Sequence, residues 1–128
     1  MNSPINKIVI VDDEAHIRSL LQQTLEELEG SPPILTAPNG AMGLALIEKE
    51  HPRLVFLDVM MPLMNGYDVC AAVRKNPALA DVTIVMLTAK GQEADRIHGL
   101  DVGAHHFVTK PFDPDEILEL ARSVFDAA

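Results

Sequence analysis

Apolar residues are distributed along the chain in two alternating patterns, short unbroken runs and longer stretches with a helical period. The clearest run, Leu54 to Leu57, passes directly into Asp58. A run without polar alternation is typical of a strand that is covered on both faces in a parallel sheet. Comparable runs predict four more strands, over residues 7–11, 34–37, 83–87 and 106–108.

Between these runs the apolar residues return every three or four positions, which predicts amphipathic helices. The first helix starts at Ala15 and is ended by Gly30 and the prolines after it. Asn39 is the predicted N-cap of the second helix, and Asp113, followed by proline, is that of the last. The other two helices are predicted over residues 67–75 and 92–100.

Five strands that alternate with five helices predict an α/β fold. Short connections and right-handed crossovers favour a doubly wound, five-stranded parallel sheet with helices on both faces. We expect the flavodoxin-like strand order 2-1-3-4-5, in which the first and third strands flank the position where ligands bind. The 128 residues are expected to form one domain, structured from about residue 5 to 126.

The predicted strands end in polar residues that would share one edge of the sheet. Asp12 and Asp13 follow the first strand, Asp58 the third, Thr88 the fourth and Lys110 the fifth. Because like charges at contact distance repel, three converging carboxylates favour a bound cation, and oxygen ligands suit Mg²⁺. With Mg²⁺ and one ammonium the formal charge of such a site is zero, which suits a carboxylate that accepts a phosphoryl group.

The composition restricts the possible partners. Nineteen acidic residues against ten basic ones give a formal net charge of −9, which argues against nucleic-acid binding and against docking on an anionic membrane. No apolar stretch approaches the roughly 20 residues that cross a bilayer. The single cysteine, Cys70, excludes an internal disulfide and fits a reducing compartment, so we expect a cytoplasmic domain.

The ordered motifs resemble the receiver domain of two-component response regulators, of the chemotaxis-regulator type, over essentially the whole chain. Each motif alone is unspecific, whereas the whole set in order at family-like spacing is highly specific. The motifs are Val9-Ile10-Val11-Asp12-Asp13-Glu14, Asn39-Gly40, Leu57-Asp58-Val59-Met60-Met61-Pro62 with Asn65-Gly66, Leu87-Thr88-Ala89, Gly99 to Gly103-Ala104, and Lys110-Pro111-Phe112.

This resemblance implies a phosphoacceptor, Asp58, that takes its phosphoryl group from a sensor histidine kinase or phosphotransfer protein, or slowly from acetyl phosphate. It implies a Mg²⁺ site made by Asp13, Asp58 and the Met60 carbonyl, assisted by Asp12 through water. Lys110 would contact the phosphoryl group and precede a cis peptide bond to Pro111. Thr88 and Phe107 would form the switch that changes the surface offered to an effector, and Met60 and Lys90 would influence how long the phosphate persists.

Other interpretations depend on the same residues. A phosphatase of the haloacid dehalogenase type needs a second Asp where Met60 stands, and a flavin carrier needs a phosphate-binding loop where the chain is acidic. A receiver without phosphorylation would not need the complete acidic cluster. A metal site at His105-His106 is disfavoured because neighbours on a strand point to opposite faces. We therefore expect a signalling domain rather than an enzyme, either standing alone or cut from a larger regulator or hybrid kinase.

Overall fold

A computed structural model describes residues 5–30, 32–89 and 102–126 of the chain. Its strands are β1 (Ile5–Val11), β2 (Ile34–Ala37), β3 (Pro52–Asp58), β4 (Thr83–Ala89) and β5 (His106–Lys110). They form one parallel sheet in the order β2-β1-β3-β4-β5, which confirms the expected flavodoxin-like arrangement.

Four α-helices lie in the described residues, together with a short 3-10 helix over Pro77–Leu79. The helix predicted over residues 92–100 lies outside the described residues. No helix in the described ranges is long and apolar enough to cross a membrane. The four helices are α1 (Ala15–Leu25), α2 (Gly40–Glu50), α3 (Gly66–Arg74) and α4 (Pro114–Asp126).

The sheet separates two apolar cores, as expected for a doubly wound fold. On one face α2 and α3 contribute Ile47, Val69 and Val73, and on the other α1 and α4 contribute Leu21 and Ile117, all fully buried. Both cores need β3, whose side chains from position 54 to 58 are all buried. This two-sided burial explains the unbroken apolar run and holds the end of β3 rigidly at the centre of the sheet.

The predicted helix starts are confirmed by their hydrogen bonds. The Asn39 side chain accepts the Met42 N–H at 2.8 Å, and Asp113 Oδ1 accepts the Asp115 N–H at 2.9 Å. A capping box that the sequence prediction did not include starts α3, where Asn65 and Asp68 each accept the other's N–H. These caps satisfy helix donors that would otherwise lack partners.

Several element boundaries differ from the prediction. The first helix ends at Leu25, not near Gly30, because the chain tightens into i→i+3 bonds such as Leu28 N–H to Leu25 O at 3.0 Å. Leu28 nevertheless stays buried, so the apolar period continues past the helix itself. β4 and β5 each run two residues further than predicted, which places Thr88 and Lys110 inside strands.

Glycine permits close packing next to the predicted site. A Cβ at Gly43 in α2 would lie 2.6 Å from a methyl group of Val11, and one at Gly66 would collide with the Asp58 carbonyl oxygen. Both helices therefore approach the carboxyl ends of β1 and β3 more closely than any larger residue would allow.

Candidate functional site

Three carboxylates meet where β1 and β3 end. Val11 pairs with Leu57 in the sheet, so Asp12 lies alongside Asp58, the last residue of β3. One carboxylate oxygen from each of Asp12, Asp13 and Asp58 lies within 4.8 Å of the other two. The side chains of Asp12 and Asp58 are buried, whereas Asp13 is exposed. The convergence expected from the strand ends is present.

Lys110, the last residue of β5, reaches this cluster across the end of β4. Its Nζ atom lies 2.8 Å from Asp12 Oδ2, 3.2 Å from Asp58 Oδ1 and 3.7 Å from Glu14 Oε1. Burial alone would lower the pKa of Lys110, but the contact with Asp12 and the charges of Asp12 and Asp58 together raise it. The following peptide bond, to Pro111, is cis, as expected.

Asp12 is the most firmly held of the carboxylates. Its N–H donates to Ala37 O at 3.2 Å, and its Oδ1 accepts the N–H of Glu14 at 2.9 Å. The buried Oδ2 accepts no well-directed hydrogen bond within the described residues, so its partner there is the Lys110 ammonium. An anionic oxygen in this state is well suited to a cation.

Asp58 combines burial with an accessible edge of the sheet. Its Oδ1 accepts the N–H of Met60 at 3.3 Å. Burial, and then the negative charge of Asp12, raise the pKa of Asp58 to about 7, although Lys110 opposes the shift. Such a group gains from any added positive charge, because that charge favours the ionised carboxylate.

The two predicted switch residues lie on neighbouring strands. Thr88, 7 % exposed, follows Leu87, the residue that pairs with Asp58. Phe107 is partly buried and packs against the core on the α2 and α3 face. Thr88 therefore lies one strand away from Asp58. Phe107 lies on the edge strand β5 and pairs with Met86, two residues before Thr88.

The donor set could hold a hard divalent cation. Three carboxylates with oxygen ligands face one ammonium, which leaves the cluster formally at −2 before Glu14 is counted. A set of carboxylate oxygens, with no imidazole nitrogen or thiolate sulfur among the ligands, favours ions of the magnesium type over zinc or copper. The residues present therefore fit a metal of that class.

Two residues at this site were missed by the sequence reasoning. Glu14 was named only as the last residue of the first motif, yet its carboxylate lies 3.7 Å from Lys110 Nζ and 3.5 Å from His16 Nε2. Arg18 was not singled out in the sequence, yet its guanidinium donates to Asp12 O at 2.7 Å. An arginine in the first turn of a helix is itself an unusual signal, since positive charge is unfavourable there.

One of the two adjacent histidines makes contacts within the domain. His105 Nδ1 accepts the N–H of Ile84 at 3.2 Å and lies 3.1 Å from Nη2 of Arg74, although the residue is exposed. Burial first, then the charges of Arg74 and His106, lower the pKa of His105. Cys70 is fully buried, as expected of a core residue, and burial raises its pKa to about 11.

Comparisons with known proteins identify the class. The response regulator receiver domain model matches residues 8–122, and the chain therefore belongs to that family. The chemotaxis protein CheY4 of Vibrio cholerae superimposes with a TM-score of 0.84 at 31 % identity over 94 % of this chain and 98 % of that one. The receiver domain of NtrX from Brucella abortus gives a TM-score of 0.83 at 28 % identity, covering 95 % and 100 %.

Curated relatives are longer proteins. The "Probable transcriptional regulator ycf27" of Porphyra purpurea is 46 % identical over all 128 residues, which make up 51 % of that protein. The transcriptional regulatory protein PhoP of Bacillus subtilis is 42 % identical over 118 residues, or 48 % of its length. The chain spans about half the length of the curated relatives it matches. It is a response regulator receiver domain, a signalling domain.

Proposed function

We propose that this receiver domain accepts a phosphoryl group on Asp58. An Asp58 oxygen attacks the phosphorus of a phosphohistidine on a sensor histidine kinase or phosphotransfer protein, the P–N bond breaks, and the departing imidazole takes up a proton. The observation that carries this proposal is one buried carboxylate at the end of the central strand, with two further carboxylates and an ammonium around it.

Charge balance supports this chemistry. Phosphorylation removes the one negative charge of Asp58 and adds about two, so the new oxygens need cations in fixed positions. Lys110 Nζ already lies 3.2 Å from Asp58 Oδ1 and would turn to the phosphoryl oxygens. The raised pKa of Asp58, about 7, means that the nucleophilic anion forms most completely when a further cation is present.

That cation would be Mg²⁺, held by Asp13, Asp58 and the Met60 carbonyl, with Asp12 contributing through water. When bound, it would neutralise negative charge that develops on the transferring oxygens. The carboxylates fit this ion because two of them are fixed by backbone bonds and one is exposed to solvent, which leaves room for the water that Mg²⁺ retains.

The phosphorylated state would be transmitted by Thr88 and Phe107. The hydroxyl of Thr88 would move toward the phosphoryl oxygens, and Phe107 would turn inward behind it. This would shift the balance between two packings of the β5 surface, and an effector protein or domain would bind one of them. We place this signalling in the cytoplasm. Because the chain is strongly acidic, we expect it to bind neither nucleic acid nor membrane directly.

The acceptor assignment has a direct test. With Mg²⁺ and acetyl phosphate, the intact mass of the wild-type chain is expected to rise by one phosphate, and chelation of the metal should suppress the gain. Asp58→Asn should abolish it, because the amide is not a nucleophile of this kind. Asp81→Asn, which changes an exposed aspartate in the turn before β4, serves as the control. Undiminished labelling of Asp58→Asn would refute the assignment.

The lifetime of the phosphoryl group is expected to depend on Met60. Its side chain is 61 % exposed beside Asp58, but a thioether is too weak an acceptor to orient an attacking water. Met60→Asn should therefore speed dephosphorylation roughly two- to tenfold, the rate equivalent of one hydrogen bond. Phosphate release after removal of the donor measures this, with Leu63→Asn as a control on the same loop. An equal or slower rate in Met60→Asn would contradict the idea. Lys90, the other expected determinant, lies outside the described residues.

A further inference from the structure

The first turn of α1 lacks the features that usually stabilise the start of a helix. Glu14, its N-cap residue, makes no side-chain cap bond, and the first turn contains no acidic residue. The fourth residue of the helix is instead Arg18, whose positive charge is unfavourable near the positive end of the helix dipole. The helix dipole of α1 therefore gives no reason for an arginine at position 18.

The guanidinium of Arg18 hydrogen-bonds the turn that carries Asp12 and Asp13. Nη1 donates to the main-chain oxygen of Asp12 at 2.7 Å, a short, partly buried bond that reaches back six residues. The carbonyl of Asp12 belongs to the peptide unit that joins Asp12 to Asp13. Fixing that plane restrains ψ of the first residue and φ of the second, and thereby the direction of both carboxylates.

This restraint is most important for Asp13. The side chain of Asp12 is already held by Glu14 N–H and Lys110, whereas Asp13 is exposed. The direction of an exposed carboxylate on a turn depends chiefly on the backbone beneath it. The Arg18 bond holds that backbone from α1, in addition to the bond that the N–H of Asp12 donates to the Ala37 carbonyl.

We propose that Arg18 is a positioning residue that holds the Asp12–Asp13 peptide so that the carboxylates are placed for Mg²⁺. The proposal rests on the proposed function of the same cluster. It does not require Arg18 to touch the metal or the phosphoryl group. Residues of this kind, one step behind the ligands, typically change metal affinity by roughly tenfold or more when removed.

The test is isothermal titration of the 128-residue chain with MgCl₂, alongside urea unfolding in chelator. Arg18→Ala is expected to bind Mg²⁺ roughly tenfold more weakly than the wild-type chain. Arg18→Lys, which keeps the charge and one directed donor, should recover part of that loss and carries the test if the alanine variant does not fold. Arg53→Ala is the matched control, since that guanidinium bonds Asn6 at the opposite end of the sheet.

Each outcome decides between a positioning and a structural role. Unchanged Mg²⁺ affinity in both Arg18 variants, with lower stability in chelator, would overturn the proposal and leave the arginine a purely structural residue. Equal losses of affinity in Arg18→Ala and Arg53→Ala would also overturn it. A wild-type chain that binds no Mg²⁺ would refute the metal site itself as well, which separates failure of the proposed function from failure of this inference alone.

Discussion

Asp58→Asn is expected to stabilise the metal-free domain by about 2–4 kcal/mol at pH 8. The reason is that the buried carboxylate, with Asp12 beside it, is harder to ionise in the folded chain, where the pKa of Asp58 is about 7. Asparagine keeps an oxygen for the Met60 N–H but carries no charge. The gain in unfolding free energy is smaller than the free-energy equivalent of the whole pKa shift. The attraction to Lys110 is lost in the variant, and the edge of the site is open to water.

The pH dependence of this gain has a definite sign. A carboxyl whose folded-state pKa is raised binds its proton more tightly in the folded chain, so its contribution to stability falls as pH rises from about 4 to about 7. The advantage of Asp58→Asn should therefore be largest above pH 7 and nearly vanish near pH 4. Urea unfolding in chelator measures it, with Asp81→Asn expected within about 0.5 kcal/mol of wild type. A less stable Asp58→Asn at pH 8 would contradict this account.

Arg74→Ala is expected to destabilise the domain by about 2–4 kcal/mol. Arg74, at the end of α3, donates from Nε to Gly103 O at 2.9 Å and from Nη2 to Val82 O at 2.7 Å, with a longer bond to Leu79 O. None of the ion pairs found in the described ranges includes it. The cation instead joins α3 to two other chain segments through their carbonyls, and its loss would remove the guanidinium donors from Gly103 O and Val82 O.

The geometry around Arg74 makes the effect specific. Gly103 has φ +103°, and a Cβ there would lie 2.5 Å from Arg74 Cγ, so the glycine and the arginine fit each other. Arg74→Lys should recover less than half of the loss, because an ammonium cannot span two carbonyls as a guanidinium fork does. Denaturant unfolding provides the values, with Arg53→Ala as the control, because the bond from Arg53 to Asn6 is exposed. A loss below about 0.5 kcal/mol in Arg74→Ala would show that water replaces these bonds.

The sheet was predictable because its signal is local. β3 is buried on both faces, so its composition alone identifies it, and Asn39 and Asp113 mark helix starts through bonds made within three residues. The end of the first helix was not predictable, because Leu28 remains buried whether or not the helix continues to it. The period of apolar residues indicates which face of a segment is buried, but it does not indicate which backbone hydrogen bonds that segment makes.

The site was predictable to the extent that it follows from strand ends. Parallel strands place their carboxyl ends at one edge, so Asp12, Asp58 and Lys110 could be brought together from order alone. The contacts of Arg18 and Arg74 could not, because both donate to main-chain carbonyls. A carbonyl acceptor leaves no side-chain partner in the sequence, so these bonds can be found only from coordinates.

Phosphorylation of Asp58 is tested most directly by localising the phosphoryl group in the wild-type chain. After reaction with acetyl phosphate and Mg²⁺, borohydride reduction converts an aspartyl phosphate to homoserine, which peptide mass spectrometry can place. Homoserine is expected at position 58 alone, and none is expected when Mg²⁺ is chelated. Homoserine at position 12 or 13, or a phosphate that resists reduction because it sits on a hydroxyl or an imidazole, would contradict it.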